Sequence, residues 1–211
     1  MSPTAELSGK VFLVIGAGRP LGRALALGLG QAGASVAAHD LLPTHLDETI
    51  RLLEQAGAPC QAYTGDTGKG LAARALVDDV LTDWGRLDAL VHCLHAAPLA
   101  GLLALDEWDW QRTLEINLSG PFLLMQAAAA AMREQGGGTL VNVLETSPAG
   151  HSLALDASQH GLAGLSRAVA AELLTYNINI AAVDAAGAAS PAALVEEVIG
   201  LCRPAAEPPP G

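Results

Sequence analysis

The sequence predicts an α/β domain in which a doubly wound parallel sheet carries helices on both faces. Six short apolar runs alternate along the 211 residues with longer segments whose apolar residues recur at helical spacing. The first run, 10–15, leads into a glycine turn, a helix, a second strand and an acidic residue, Asp40. That order within about thirty residues is typical of a βαβ unit that binds a dinucleotide.

The elements follow one another in regular alternation. Apolar runs predict strands at 10–15, 35–38, 60–63, 87–93, 139–144 and 178–183. After the turn 16–22, helical spacing predicts a first helix through Leu25, Leu29 and Ala32. It also predicts helices at 46–56, 71–84, 106–131 (in two parts), 157–174 and 191–201. Gly33, Gly57 and Gly85 end the first three helices. Ligands are expected at the carboxyl ends of the strands.

The turn after the first strand has the residues that a pyrophosphate site needs. Gly16, Gly18 and Gly22 let the backbone bend sharply and approach a phosphate, which then lies at the positive end of the helix. Asp40 would accept both ribose hydroxyls and repel a 2′-phosphate, so we predict NAD rather than NADP. Arg19 favours the opposite preference because a guanidinium pairs with phosphate. A tight turn without a ligand is the alternative.

Composition limits the classes of function. The chain is 51% apolar and has a net charge of −11. We therefore predict one substantial domain, 1–203, and neither nucleic acid nor membrane as a partner. The scattered cysteines Cys60, Cys93 and Cys202 predict no disulfide framework and fit a reducing cytoplasm. No signal pattern or membrane-spanning run is seen, and the proline-rich residues 204–211 predict a disordered tail.

Five stretches match motifs that occur together in one family: residues 16–22, Asp66-Thr67, residues 84–91, Asn117 and residues 164–173. They resemble motifs of the short-chain dehydrogenase/reductases. Residues 16–22 are similar to that family's glycine turn, and Asp66-Thr67 to its contact with adenine. Residues 84–91 are similar to its W-G-x-L-D-x-L-V run, Asn117 to the asparagine that anchors a water, and residues 164–173 to the helix after its catalytic segment. The resemblance covers about Leu7 to Arg203. It implies a Rossmann-type fold and NAD(H) binding at Gly16, Gly18, Arg19, Leu21, Gly22, Asp40, Asp66, Thr67, Cys93 and Leu94.

The residues that carry the family's chemistry are different here. Members use a Tyr-x-x-x-Lys pair and an upstream serine to move a proton and to polarise the substrate carbonyl. The resemblance places Leu155 at the tyrosine, Gln159 at the lysine and Glu145 at the serine. Tyr63 and Tyr176 lie elsewhere in the predicted fold and cannot replace the tyrosine. The sequence therefore predicts that the family's carbonyl reduction is lost.

The end of the chain also differs from the family. A mobile lid and a last strand normally follow the sixth strand. Here Ala185-Ala186 replace the usual Pro-Gly, and the chain moves almost directly into the helix at 191–201. We expect the lid helices and the last strand to be missing, which would leave the substrate pocket open to water.

Other candidates for chemistry lie near the same segment. Glu145 could act as a general base if burial raised its pKa, but an exposed loop residue is the simpler interpretation. Of His92 and His95, we expect one to pack and the other to meet water, where it could shuttle a proton. A metal cluster of Glu145, His151 and Asp156 is less favoured than a solvated surface, so we predict no metal site.

Two functions remain open. The first is an NAD(H)-binding protein without oxidoreductase activity that serves as a structural or regulatory subunit. Its small-residue helices at 121–132 and 157–174 would join a homodimer, a tetramer or a hetero-oligomer with an active family member. The second is an active NAD(H)-dependent oxidoreductase that uses Glu145, His95 or Asn117, the last of which is a retained catalytic position.

Overall fold

A parallel sheet organises the protein, which the computed structural model describes over residues 6–145 and 152–203. The strands are β1 (Val11–Ile15), β2 (Ser35–Asp40), β3 (Cys60–Thr64), β4 (Ala89–His92), β5 (Gly138–Leu144) and β6 (Ile178–Asp184). Their order in the sheet is β3-β2-β1-β4-β5-β6, and every neighbouring pair is parallel. The predicted doubly wound parallel sheet is confirmed.

Helices connect the strands on both faces of the sheet. They are α1 (Pro20–Gln31), α2 (Pro43–Gln55), α3 (Gly70–Trp84), α4 (Glu107–Leu114), α5 (Gly120–Gln135), α6 (Leu153–Leu174) and α7 (Pro191–Cys202). A π-helical turn at Glu115–Ser119 joins α4 to α5. Helices α1, α2 and α7 pack on one face, and α3, α5 and α6 pack on the other. Because strand side chains alternate between two covered faces, the central strands β1 and β4 are buried over their whole length, whereas the edge strands β3 and β6 are partly exposed.

Several boundaries differ from the predicted ones. Helix α2 begins at Pro43 rather than Leu46, because proline suits the first position of a helix. Helix α6 begins at Leu153 rather than Ala157, and an aspartate in its first turn suits the positive end of the helix. Strand β4 occupies only the middle of the predicted run 87–93.

The connection after β6 is short. Residues 185–190 link β6 to α7, and no helix lies between them in this described segment. Helix α7 packs so closely on α1 that a Cβ on Gly28 would overlap the side chain of Val195. A strand after Arg203 and the expected tail at 204–211 fall outside the described residues. Within the described part of the chain, we find no helix with the length and apolar character needed to cross a membrane.

Candidate functional site

The carboxyl ends of β1 and β4 form the crevice where a ligand would bind. Strand β1 lies between β2 and β4, so the order of strands along the chain reverses at this point. Doubly wound sheets bind their ligands there. Turn 16–22 follows β1 directly, Asp40 is the last residue of β2, and the run 92–95 starts at the last residue of β4. The topology therefore brings the predicted cofactor residues to one edge.

The glycine turn is packed too closely for larger residues. Gly16 has a φ of +87°, and a Cβ on it would lie 2.9 Å from Leu94 N. A Cβ on Gly22 would overlap the Gly16 carbonyl and lie 2.9 Å from Cys93 Sγ. The Cys93 thiol donates to the Ile15 carbonyl at 3.0 Å, and its burial raises its pKa. Cys93 and Leu94 are both buried and pack directly against Gly16 and Gly22 of the turn.

Side chains of α1 and α2 hold the carbonyl groups of the turn. Thr49 Oγ1 donates to the Ala17 carbonyl at 2.8 Å, and Arg23 Nη2 donates to the Gly18 carbonyl at 3.2 Å. Arg23 Nε also donates to Thr49 Oγ1 at 3.1 Å. Arg19, the N-cap residue of α1, makes no side-chain cap. The positive end of α1, which begins Pro20-Leu21-Gly22, is thus left for an anion such as a pyrophosphate.

Asp40 lies at the end of β2 with 0% of its surface exposed. Its Oδ1 accepts a hydrogen bond from the Leu41 N–H at 2.8 Å and pairs with His45 Nδ1 at 2.8 Å. Its Oδ2 is buried without a hydrogen-bond partner, and Arg19 Nε lies 4.0 Å from it. A buried carboxylate oxygen without a partner is unfavourable, and a ribose hydroxyl would satisfy it. The adenosine half of the site therefore fits a dinucleotide.

Asp66, expected to contact adenine, already has a protein partner. Its Oδ2 pairs with Arg112 Nη2 at 3.0 Å, and its Oδ1 accepts the Gly68 N–H at 3.2 Å. Thr67 next to it is buried. A base that used Asp66 would share it with Arg112 of α4, a residue that sequence reasoning missed because nothing in the local pattern links α4 to the end of β3.

Asn117 is buried in the π-helical turn and has its hydrogen bonds inside the protein. Its Oδ1 accepts the Ala96 N–H at 2.7 Å, and its Nδ2 donates to the Ala96 carbonyl at 2.9 Å and to Ser158 Oγ at 3.0 Å. Both amide protons are therefore in use. Asn117 ties the loop after β4 to helix α6, and its expected role in holding a relay water stays a prediction.

The positions matched to the family's tyrosine and lysine are buried in α6. Leu155 and Gln159 are each 4% exposed. Gln159 Oε1 accepts the Glu145 N–H at 3.2 Å, and Ser158 Oγ donates to the Leu155 carbonyl at 2.8 Å. Neither a leucine nor a glutamine side chain can act as a general acid or base at neutral pH. The amide of Gln159 serves instead to anchor the end of β5.

Glu145 and His95 form a pair that the sequence did not join. His95 Nε2 lies 3.0 Å from Glu145 Oε2, and the side chains are 26% and 32% exposed. Glu145 also borders a cavity of about 430 Å³ between the start of α1 and residues 185–190. His92 is only 2% exposed, which confirms that one of these histidines packs while the other meets water. A carboxylate that orients an imidazole is an arrangement suited to general acid–base chemistry.

Two buried histidines flank the end of β1. Ile15 pairs with His39 on β2 and with His92 on β4. Each histidine has one buried ring nitrogen without a partner, Nδ1 of His39 and Nε2 of His92. Burial lowers the pKa of His39 to about 4 and that of His92 to about 3. Both imidazoles are therefore neutral at neutral pH.

The two tyrosines of the chain are engaged elsewhere. The Tyr63 hydroxyl donates to Asp83 Oδ2 at 2.8 Å and accepts from Trp84 Nε1 at 3.0 Å. Desolvation, together with the hydrogen bond to Asp83, raises its pKa. The Tyr176 ring lies under the Arg133 guanidinium, 5.6 Å from ring centre to carbon, beyond the end of α6. Neither side chain is placed to serve as the proton donor at Leu155.

The metal cluster considered from the sequence falls partly outside the described residues, because His151 lies within 146–151. Over 6–145 and 152–203, no group of three or more histidine, cysteine, aspartate or glutamate side chains could hold a metal ion. The three cysteines are free thiols.

His45 is a further residue that the sequence analysis missed. It lies in the first turn of α2, five residues after Asp40, and pairs with that carboxylate. A basic side chain is unfavourable near the positive end of a helix unless an anion compensates it. That local conflict was the available signal, and Asp40 is the compensating anion.

Fold and glycine turn together define a dinucleotide-binding protein of the dehydrogenase type. The family model described as short chain dehydrogenase matches residues 10–196, which is most of the chain. The chain therefore belongs to the short-chain dehydrogenase family of oxidoreductases.

Among curated relatives, an uncharacterized oxidoreductase of Thermotoga maritima is 34% identical over 183 residues, which are 84% of this chain and 71% of the relative. A D-threitol dehydrogenase of Mycolicibacterium smegmatis is 38% identical over 176 residues, which are 79% of this chain and 65% of the relative. The chain thus spans about two thirds to three quarters of the curated relatives it matches.

Solved structures match at the level of the whole fold. A metagenomic short-chain oxidoreductase in complex with NADP has a TM-score of 0.88 and 30% identity, over 95% of this chain and 93% of that one. An NAD+-bound xylitol dehydrogenase has a TM-score of 0.79 and 29% identity, over 84% of this chain and 70% of that one. Both kinds of nicotinamide dinucleotide therefore occur among the structural relatives.

Proposed function

We propose that this protein binds NAD(H) and acts as a structural or regulatory subunit of an oligomer, without the tyrosine–lysine chemistry of its family. The observation that carries the proposal is the burial of Leu155 and Gln159 at the two matched positions. General acid–base transfer contributes roughly 10²–10⁴-fold to a rate, and neither side chain can supply it. Asn117 and Gln159 act as structural cross-links in this half of the site.

Binding of the nucleotide rests on the other half of the site. The closely packed glycines, the uncapped start of α1 and the unpartnered Asp40 Oδ2 suit a pyrophosphate and a ribose. Family relatives solved with NAD+ and with NADP support a dinucleotide. A bound nicotinamide would supply hydride exchange, but Gln159 carries no charge with which to hold its ribose. We therefore expect weak binding of NADH.

Calorimetric titration with NADH, NAD+ and NADPH tests this part of the proposal. We expect weak NADH binding, and Asp40→Asn should remove the preference for NADH over NADPH. Asp47→Asn, on the exposed side of α2, is the matched control and should change neither affinity. Tighter binding of NADPH than of NADH by the natural chain would contradict the role given to Asp40.

The proposed oligomer uses the outer faces of α5 and α6. A groove of about 420 Å³ lies between them, lined by small residues such as Ala129 and Ala130 and by the half-exposed Phe122. Small residues let helices approach closely, and a second copy or an active relative would cover this apolar surface. These helices also cover their own sheet, which is the simpler role for them.

Light scattering after size exclusion at micromolar concentration tests the oligomer. We expect a dimer or tetramer that Ala130→Arg converts to a monomer, because a charged side chain would enter the groove. Ala193→Arg on α7, on the opposite face of the sheet, is the control and should leave the assembly intact. A monomer at micromolar concentration would count directly against the proposed oligomer. Co-expression with an active family member tests the hetero-oligomer separately.

A second candidate function has one specific observation in its favour. The His95–Glu145 pair, 3.0 Å apart beside the cavity at residues 185–190, could accept a substrate proton in place of the missing tyrosine. An absorbance screen for NADH formation or loss over alcohols and carbonyls tests it. Turnover that is lost in both Glu145→Gln and His95→Gln would establish this function, and no turnover in the natural chain would dismiss it.

A further inference from the structure

The carboxylate that would bind the adenosine ribose is closed off by the protein itself. Asp40 is fully buried, whereas the two basic side chains over it, His45 and Arg19, are 34% and 49% exposed. A ligand that approaches the end of β2 therefore meets an imidazole and a guanidinium before it meets the carboxylate.

His45 also fills the space between the end of β2 and the glycine turn. A Cβ on Gly18 would lie 2.5 Å from His45 Cβ, 2.7 Å from the His45 carbonyl oxygen and 2.9 Å from Asp40 Oδ2. The first turn of α2 thus lies directly on the glycine turn through the backbone and Cβ of His45, whereas the imidazole covers Asp40 Oδ1. No other side chain of the described residues makes a hydrogen bond to Asp40, and only the Leu41 N–H and His45 pair with its Oδ1.

We propose that His45 is a latch on the ribose site, so that NAD(H) binds only after the imidazole has swung away from Asp40 Oδ1. The proposal rests on the proposed function, because it assumes that the protein binds NAD(H). Rotation of the imidazole about the side-chain bonds of His45 leaves the backbone of α2, strand β2 and the glycine turn in place. The ribose hydroxyls would then replace His45 at Oδ1 and supply the partner that Oδ2 lacks.

The latch lowers the apparent affinity because only the open fraction of the protein can bind. The hydrogen bond between His45 and the Asp40 carboxylate has to break before the ligand binds. Because a hydrogen bond to a charged group is strong, most molecules have the imidazole in place on Asp40. Removal of the imidazole should therefore tighten NADH binding by about tenfold.

The latch also reduces the discrimination between NADH and NADPH. While His45 and Arg19 cover Asp40, a 2′-phosphate would meet basic groups, whereas a bare carboxylate would repel it. His45→Ala should therefore tighten the binding of NADH but not that of NADPH. A residue with a purely structural role would change both affinities alike.

Titration calorimetry on the full chain tests the latch, with ADP-ribose, NADH and NADPH as probes. His45→Ala removes the imidazole, and His45→Asn keeps a donor at the position of Nδ1. His160→Ala removes an exposed histidine on α6 and serves as the control. We expect ADP-ribose and NADH to bind His45→Ala about tenfold more tightly, with no change in the other two variants.

The possible outcomes are distinct. Equal or weaker binding of ADP-ribose to His45→Ala would overturn the latch while leaving the proposed NAD(H) site in place. Equal tightening for NADH and NADPH would overturn its part in discrimination. If neither ADP-ribose nor NADH bound any variant, the proposed dinucleotide site would fail, and the latch with it. A melting temperature near that of the natural chain confirms that each variant is folded.

Discussion

The two halves of this ligand-binding edge differ in where their polar groups find partners. In the adenosine half, Asp40 Oδ2 and His39 Nδ1 are buried without a hydrogen-bond partner. In the catalytic half, His92 Nε2 and Ser152 Oγ are also buried without a partner, but the side chains at the matched catalytic positions, Asn117, Gln159 and Glu145, are bonded to other parts of the protein. The unpartnered oxygen of Asp40 indicates a place that a ribose would complete, whereas the bonded side chains at the catalytic positions cross-link the fold. Binding and chemistry are thus separable properties of one site.

Acidification should produce the largest loss of stability, and it should act through the buried histidines His39 and His92. Unfolded histidines bind protons near pH 6.5, whereas His39 and His92 bind them in the folded state only near pH 4 and pH 3. Between these values the unfolded state binds more protons, so stability falls as the pH falls. At about pH 5 the two residues together should cost about 4 kcal/mol of the free energy of unfolding.

Guanidinium unfolding near neutral pH and at about pH 5 measures this loss. His39→Gln should remove about half of it, because a glutamine has no proton to gain, whereas His160→Gln on the surface should remove none. Hydrogen exchange in acid should show β2 and β4 opening before α5 and α6. An unchanged free energy of unfolding at both pH values would show that the buried histidines do not oppose protonation.

Asn117→Ala should give the second largest effect, on stability alone. It leaves the Ala96 N–H and carbonyl and the Ser158 hydroxyl without their partner, at a cost of about 3 kcal/mol. Asn179→Ala on the exposed side of β6 should cost far less. If Asn117 serves the fold, the NADH affinity of the folded variant should change by less than about twofold. A large loss of affinity with little loss of stability would place Asn117 in the binding site instead.

Gly22→Ala should differ from Asn117→Ala because it should abolish NADH binding as well as lower stability. Its Cβ would overlap the Gly16 carbonyl and press on Cys93 Sγ, which displaces the glycine turn at a cost of about 2 kcal/mol. NADH binding should fall below detection because the turn holds the pyrophosphate. Gly164→Ala on α6, where a Cβ meets nothing within 4 Å, should raise stability by about 0.5–1 kcal/mol and leave binding unchanged. Calorimetry with NADH and guanidinium unfolding separate the two effects.

Glu145→Ala should have the smallest effect on stability. Its pair with His95 is about a third exposed, and exposed ion pairs contribute about 0–1 kcal/mol. Glu48→Ala, which breaks the exposed pair with Arg51, provides the scale for comparison. A loss of stability above about 2 kcal/mol would show that Glu145 stabilises the fold around the catalytic positions as strongly as Asn117 does.

Local patterns predicted all six strands, most directly the central strands β1 and β4, because strands buried on both faces appear as apolar runs whatever surrounds them. The glycine turn and Asp40 were also local and were placed correctly at the carboxyl edge. Pairings such as Asn117 with Ser158 join residues 41 apart, and their approach depends on the path of loops that carry no periodicity. The start of α6 was placed four residues too late. His45 beside Asp40 was near enough in sequence to have been found.

The π-helical turn at Glu115–Ser119 has a consequence for how the helices on either side of it are aligned. One additional residue in the turn shifts the helical phase between α4 and α5 by about 100° relative to a continuous α-helix. Helix α5 is fixed by Leu124 and Ala128 against the sheet, so the phase difference falls on α4. Deletion of a single residue from this turn would rotate α4 about its axis by about 100° relative to α5. Arg112 would then leave Asp66, although neither residue had been altered.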